Sequence, residues 1–169
     1  MELSDYMLGD TAELQTFDGR LDNREVVLSL CGQAQHEIRI FTPDLESPVY
    51  DHPDLIRALT ILTTKNRKTH IKVLTKDSTQ AIKNGHRLIE LSRRLTSSIF
   101  LHRMPANIEN RDSAFLIADN SGYCHKHVGT LYHGQFNFND KLKVRDLIKF
   151  FDDAWEQSRA DPEMRRLFI

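Results

Sequence analysis

The chain has 169 residues, of which 40% are hydrophobic, 28% charged and 8% aromatic. That suits one domain with its own core and excludes global disorder, a linker-rich chain and a collagen-like repeat. The net charge of −1 excludes a general nucleic-acid coat, and no apolar run nears the roughly 18 residues that would span a bilayer.

The charge is unevenly spread. Residues 1–56 carry three basic and twelve acidic side chains, and residues 57–103 carry eleven basic and two acidic ones. A positive face for a phosphate-bearing partner would explain this, as would mutual neutralisation of the two thirds. The start, MELSDYMLGD, is acidic and lacks the cationic-then-apolar order of a secretory signal. A cytoplasmic location follows as an expectation, with Cys31 and Cys124 as reduced thiols.

Residues 1–20 read as an N-terminal arm with a short strand at Glu13–Phe17, and residues 21–169 as the domain proper. Asp22 and Glu25 predict a capping box for a helix with Val26, Val27, Leu30 and Ala34 on one face. His36–Thr42 reads as a strand, ended by Pro43, and Asp44–Asp51 as a loop. A helix follows from Pro53, with Leu55, Ile56, Leu59 and Leu62 on one side. Thr69–Thr75 is a second strand, and Ser78 then caps one long helix reaching Leu95. Further strands are predicted at Ser97–Arg103, Ser113–Ala118 and Tyr123–Val128, the last two joined by a tight turn at Asp119–Gly122. The last helix begins at Asp140, with Val144, Leu147, Ile148, Phe151, Ala154, Trp155 and Ser158 as its core stripe. Phe136 and Phe138 also read as core. This alternation predicts an α/β domain with a mixed, largely parallel sheet flanked by helices. Ligands then belong beyond the carboxyl ends of the strands, near Thr42–Asp44, Thr75–Asp77 and Arg103–Pro105.

Three stretches resemble the phospholipase D-like superfamily, from about Asn23 to Ser158. They are HEIRIFTPDL, LIRALTILTTKNRKTHIKVLT, and SAFLIADNSGY followed by GTLYHGQFN and FFDDAWEQS. The resemblance implies a half-unit of that fold, and pairing of two such units as a homodimer. Active members carry a His, a Lys two residues on and an Asp five residues after that; the His attacks phosphorus and the Lys holds phosphate oxygens. Asp119 matches the Asp, which places Asp112 at the His position and Ala114 at the Lys position. Neither can perform that chemistry. Gly129–Thr130 echoes the family's Gly-Ser at a stretched spacing. If Asp112 and Ala114 share a strand face, a His and a Lys placed there are expected to bind phosphate more tightly. The segments GHRLIELSRRLTSSI, DSAFLIADNSGY and FFDDAWEQSRADPEMRRL also resemble a bacterial domain with the same departures. It occurs alone or after an acetyltransferase domain of the GNAT type, which implies an acetyltransferase as a possible partner.

Three constellations remain. On the helix expected over residues 78–95, Lys83, Arg87 and Arg94 form an outward line with His86 and Arg93 beside it. They are an anion-binding candidate, or else an ordinary solvated face. His125 and His127 alternate on one strand and form a weak metal candidate, with His102 and His133 the only further ligands in view. Asp119 starts Asp-Asn-Ser-Gly, which meets a hairpin's backbone demands without any catalytic role. No cofactor is implied. The expected function is a non-catalytic binding or regulatory module. The alternatives are a phosphodiesterase or nuclease with relocated residues, and a phosphate or nucleic-acid binder using the basic helix.

Overall fold

The computed structural model describes residues 1–165; the rest of the domain expected to reach residue 169 lies outside them. One eight-stranded sheet runs through the molecule in the order β1-β7-β6-β5-β2-β3-β4-β8. The strands are β1 (Gln15–Asp18), β2 (Glu37–Thr42), β3 (His70–Thr75), β4 (Ile99–Arg103), β5 (Ala114–Ala118), β6 (Gly122–Lys126), β7 (His133–Asn137) and β8 (Arg159–Ala160). The sheet is mixed, as expected. Its parallel part is confined to β2, β3 and β4, and every other pairing is antiparallel. A parallel neighbour needs a crossover, and the helical segments of the β2–β3 and β3–β4 connections supply one each.

The helices are α1 (Arg20–Gln33), α2 (Ser47–Tyr50), α3 (Pro53–Lys65), α4 (Thr79–Lys83), α5 (Arg87–Arg94) and α6 (Lys141–Gln157). The first five cover one face of the sheet and α6 covers the other. Side chains alternate across a strand, so each inner strand feeds two cores. Ile38 and Ile40 of β2, Ile71 and Val73 of β3, and Leu116 of β5 pack under α1, α3 and α5. Phe41, Leu74, Phe115 and Ile117 pack against Val144, Leu147, Phe151 and Ala154 of α6. Phe136 and Phe138 join the first core. Trp155 is only partly buried and lies in a stack, 3.8 Å from the ring of His102 and 5.9 Å from that of Phe151.

The segment read as an arm supplies edge strand β1, and its Leu3, Tyr6 and Leu8 pack on the first core. Helix α1 starts at Arg20 with Gly19 as its N-cap, at φ 107, so Asp22 lies inside the first turn and forms no capping box with Glu25. The Asp44–Asp51 loop contains the short helix α2.

The single helix expected over residues 78–95 is two helices. Gly85, at φ 67, turns the chain between them. His86 then caps α5, its Nδ1 accepting from the Leu88 N–H. With that nitrogen an acceptor, Nε2 donates to the Leu45 carbonyl at 3.1 Å. These contacts reach outside the helix, so helical periodicity could not register them.

Asp119 also adopts a left-handed backbone, φ 54, which Asp tolerates better than most residues. Its carboxylate accepts from the backbone N–H groups of Gln35, His36 and Glu37 at 2.8–3.2 Å, fastening the β5–β6 turn to the start of β2. Asp119→Ala removes the acceptor for all three and places alanine in that backbone region. We expect a loss of about 1–2 kcal/mol, read from urea unfolding.

Candidate functional site

The carboxyl ends of β2 and β3, the start of β5 and the end of β6 meet at one edge of the sheet. Ala114 lies opposite Lys126 across the β5–β6 pair. Both face the core under α1, as do Thr42 and Thr75 at the ends of their strands. Asp112 precedes β5 and is exposed, while Ala114 is 3% exposed. Ala114 packs so closely on Gly129 that a Cβ at residue 129 would lie 3.2 Å from its own.

Lys126 supplies from β6 the positive charge that Ala114 lacks on β5. That charge is already neutralised. Its ammonium donates to a carboxylate oxygen of Glu46 and to the Gly129 carbonyl at 3.0 Å. Glu46 in turn accepts from the Thr42 hydroxyl at 2.6 Å. The Lys126 and Glu46 side chains are only 5% and 8% exposed. The Tyr132 ring lies 5.0 Å from the ammonium and is shared with Arg20 at 5.1 Å. Beside this pair, Asp44 is held above the ordinary carboxylate range by its own burial and by the nearby Glu46.

The expectation that a His at 112 and a Lys at 114 would gather phosphate is corrected by this geometry. A lysine at 114 would enter a buried space beside Lys126, where a second ammonium meets like charge before it meets any ligand. Glu46 and Lys126 were missed as a pair because they are distant in sequence. The only trace is a glutamate placed just past the carboxyl end of a strand.

On the opposite face, His125 is 8% exposed and its ring stands edge-on to His127, 4.8 Å between centroids. His127 is exposed. His102 lies across the sheet on Trp155, with its Nδ1 2.7 Å from the Ser158 hydroxyl, and His133 sits in β7 opposite Asp18. The four histidines therefore do not converge. Among the described residues no three His, Cys, Asp or Glu side chains are grouped to hold a metal. Cys31 and Cys124 are both buried and free. Burial pushes the Cys124 thiol up to about 12.

The basic candidates also separate. His86 is buried within the fold instead of standing beside an outward line. Arg87 pairs with Asp51 at 3.1 Å and Arg93 with Glu90 at 3.2 Å. Lys83 and Arg94 stay exposed with no ion pair among the described residues.

Burial, aided by the positive charges of Lys143, His127 and Arg111, lowers the His125 pKa from 6.5 to about 4. Burial lowers His86 and His102 as well. These groups bind protons more readily in the unfolded chain. For His125 the stabilising effect is complete above the unfolded value near 6.5 and is lost as pH falls toward about 4, and the effect of His86 and His102 has the same sign. For His125 the loss is on the order of 3 kcal/mol. Urea midpoints should therefore fall from pH 7 to pH 4.5, and less steeply in His125→Phe, which has no proton to take up there.

The architecture is that of a phospholipase D-like half-unit. It is similar to Nuc of Salmonella typhimurium, a phospholipase D family member, at TM-score 0.63 and 18% identity over 88% of this chain and 97% of that one. NucT from Helicobacter pylori is similar at TM-score 0.61 and 10% identity over 88% and 99%. TrmBL2, an archaeal chromatin protein described with a novel mode of DNA binding, is similar at TM-score 0.65 and 17% identity over 88% of this chain. The chain spans about half of that protein, 53%. No curated protein matches the sequence. By its sequence the chain belongs to the family described as "Domain of unknown function (DUF7931)", whose profile matches residues 20–167.

Proposed function

We propose that this chain is a non-catalytic phospholipase D-like module that binds a phosphate-bearing partner without cleaving it. The observation that carries this reading is the edge around Ala114. Asp112 and Ala114 stand at the positions matched to the nucleophile and the phosphate-holding lysine, and the nearby Lys126 is closed off by Glu46. A phosphodiester approaching there meets a carboxylate at Asp112 and no free cation, which is the reverse of what phosphoryl transfer needs.

The test is hydrolysis of bis(p-nitrophenyl) phosphate and of single- and double-stranded nucleic acid, with and without divalent metals. No turnover above buffer is expected. Turnover abolished by His127→Ala would overturn the reading in favour of a phosphodiesterase with relocated residues. The unpaired Lys83 and Arg94 support a second reading, in which a basic surface outside α4 and α5 holds nucleic acid. Binding of that kind must weaken steeply with salt in a gel shift. The module is further proposed to act in the cytoplasm as a homodimer, with an acetyltransferase as a possible partner. Val128 and Leu131, exposed beside Lys126, support the pairing. Sedimentation at low micromolar concentration showing only a 19.6 kDa species would exclude the dimer. No helix among the described residues is long and apolar enough to cross a membrane.

A further inference from the structure

We propose that the cleft between the β5–β6 turn and helix α6 binds a phosphate monoester with an apolar body. The inference rests on the binding-module reading and gives the phosphate-bearing partner a place. That place lies at the other end of β5 from Ala114.

The cleft has a volume of about 530 Å³. It is lined by Asn120 and Ser121 of the turn and by Lys141, Val144, Arg145 and Ile148 of α6. Its two walls are tied together by the Asp140 N–H, which donates to the Ser121 carbonyl at 2.9 Å. The Asp119 carboxylate in turn fastens the turn to the start of β2. The walls are therefore in place before any ligand arrives, as is usual for small-molecule sites.

The lining residues indicate the ligand. Lys141 and Arg145 are four residues apart and so stand on one side of the helix. Both are exposed, and neither makes an ion pair among the described residues. No carboxylate lines the cleft. Asp119 and Asp140, which directly precede Asn120 and Lys141, already accept backbone N–H groups. Arg145 offers a planar fork and Lys141 a point charge. Asn120 and Ser121 add an amide and a hydroxyl donor. A phosphate monoester brings three acceptor oxygens and about two negative charges near neutral pH, enough for both cations. A carboxylate brings only two oxygens and one charge. Val144 is buried and Ile148 partly so, and they give the cleft an apolar floor. A bare phosphate ion would leave that floor uncovered, and clefts of roughly 300–1,000 Å³ suit organic ligands.

The experiment is isothermal titration of the full chain at pH 7 with phenyl phosphate, inorganic phosphate and benzoate. Phenyl phosphate is expected to bind saturably, and the other two more weakly by about tenfold or more. Lys141→Ala and Arg145→Ala should each weaken phenyl phosphate by about tenfold or more. Lys149→Ala removes the same charge from an exposed position of α6 outside the cleft, and should leave binding unchanged. No saturable binding of phenyl phosphate, or equal weakening by all three variants, would overturn the site. Benzoate binding as tightly would overturn the assignment to phosphate, and inorganic phosphate binding as tightly would overturn the apolar body. Hydrolysis of bis(p-nitrophenyl) phosphate would overturn the non-catalytic reading, while occupancy of the cleft is still read independently from the Lys141 and Arg145 variants.

Discussion

Glu46→Ala is expected to lower stability by about 3–5 kcal/mol, because it leaves the buried ammonium of Lys126 without its counter-charge. Only the Gly129 carbonyl and the Tyr132 ring face would remain as partners. Thr42 would also lose its acceptor. The double variant Glu46→Leu with Lys126→Met should recover most of that loss. A well-packed apolar pair of similar volume often equals or exceeds a buried ion pair. Chemical unfolding of the single and double variants checks both statements. A single-variant loss below about 1 kcal/mol would mean that water reaches Lys126. It would also weaken the argument that Lys126 is closed to phosphate.

Gly134→Ala should cost more than about 3 kcal/mol, at the upper end of overpacking effects. A Cβ at this position would lie 2.2 Å from the His125 carbonyl oxygen and 2.8 Å from the Phe17 ring. The first obstacle is backbone, so relief requires strand β6 to move. Glycine is required here by close approach of two chains, not by its own dihedral angles. Thermal unfolding gives the cost. In any folded fraction, the His125 ring resonances should shift as well, because that strand carries them. A variant as stable as the parent would show that β6 and β7 can separate freely at this point.

Much of the architecture was legible in the chain. The alternating Ile38 and Ile40 of β2, the Pro43 that ends it, and the α6 stripe from Val144 to Ala154 are local patterns. Each follows from side-chain period and backbone chemistry alone. The break between α4 and α5 was not legible in the same way. His86 fits a continuous helix by period, and it leaves that pattern because it caps α5 and donates to Leu45, a residue of another segment. Trp155 shares the stripe's period but sits at its border, so periodicity overstates its burial. The share of parallel pairing was also overstated. The order of strands reveals which ones can be parallel, but not where the hairpin and edge strands will join.

The candidate site divides along the same line. The sequence by itself matched Asp112 and Ala114 to the positions of the hallmark His and Lys, a reading that rests on spacing from Asp119 alone. It also read His125 and His127 as alternate positions of one strand, whereas β6 ends at Lys126 and His127 lies just beyond it. Only the tertiary structure decided that Lys126 faces Ala114 across two strands and is neutralised by Glu46, or that Asp119 fastens the start of β2. The physical reason is the range of the forces involved. Helix and strand periods arise within a few residues of chain. Burial of a charge, and the partner that must accompany it, depend on which distant segments the folded core brings within a few ångströms.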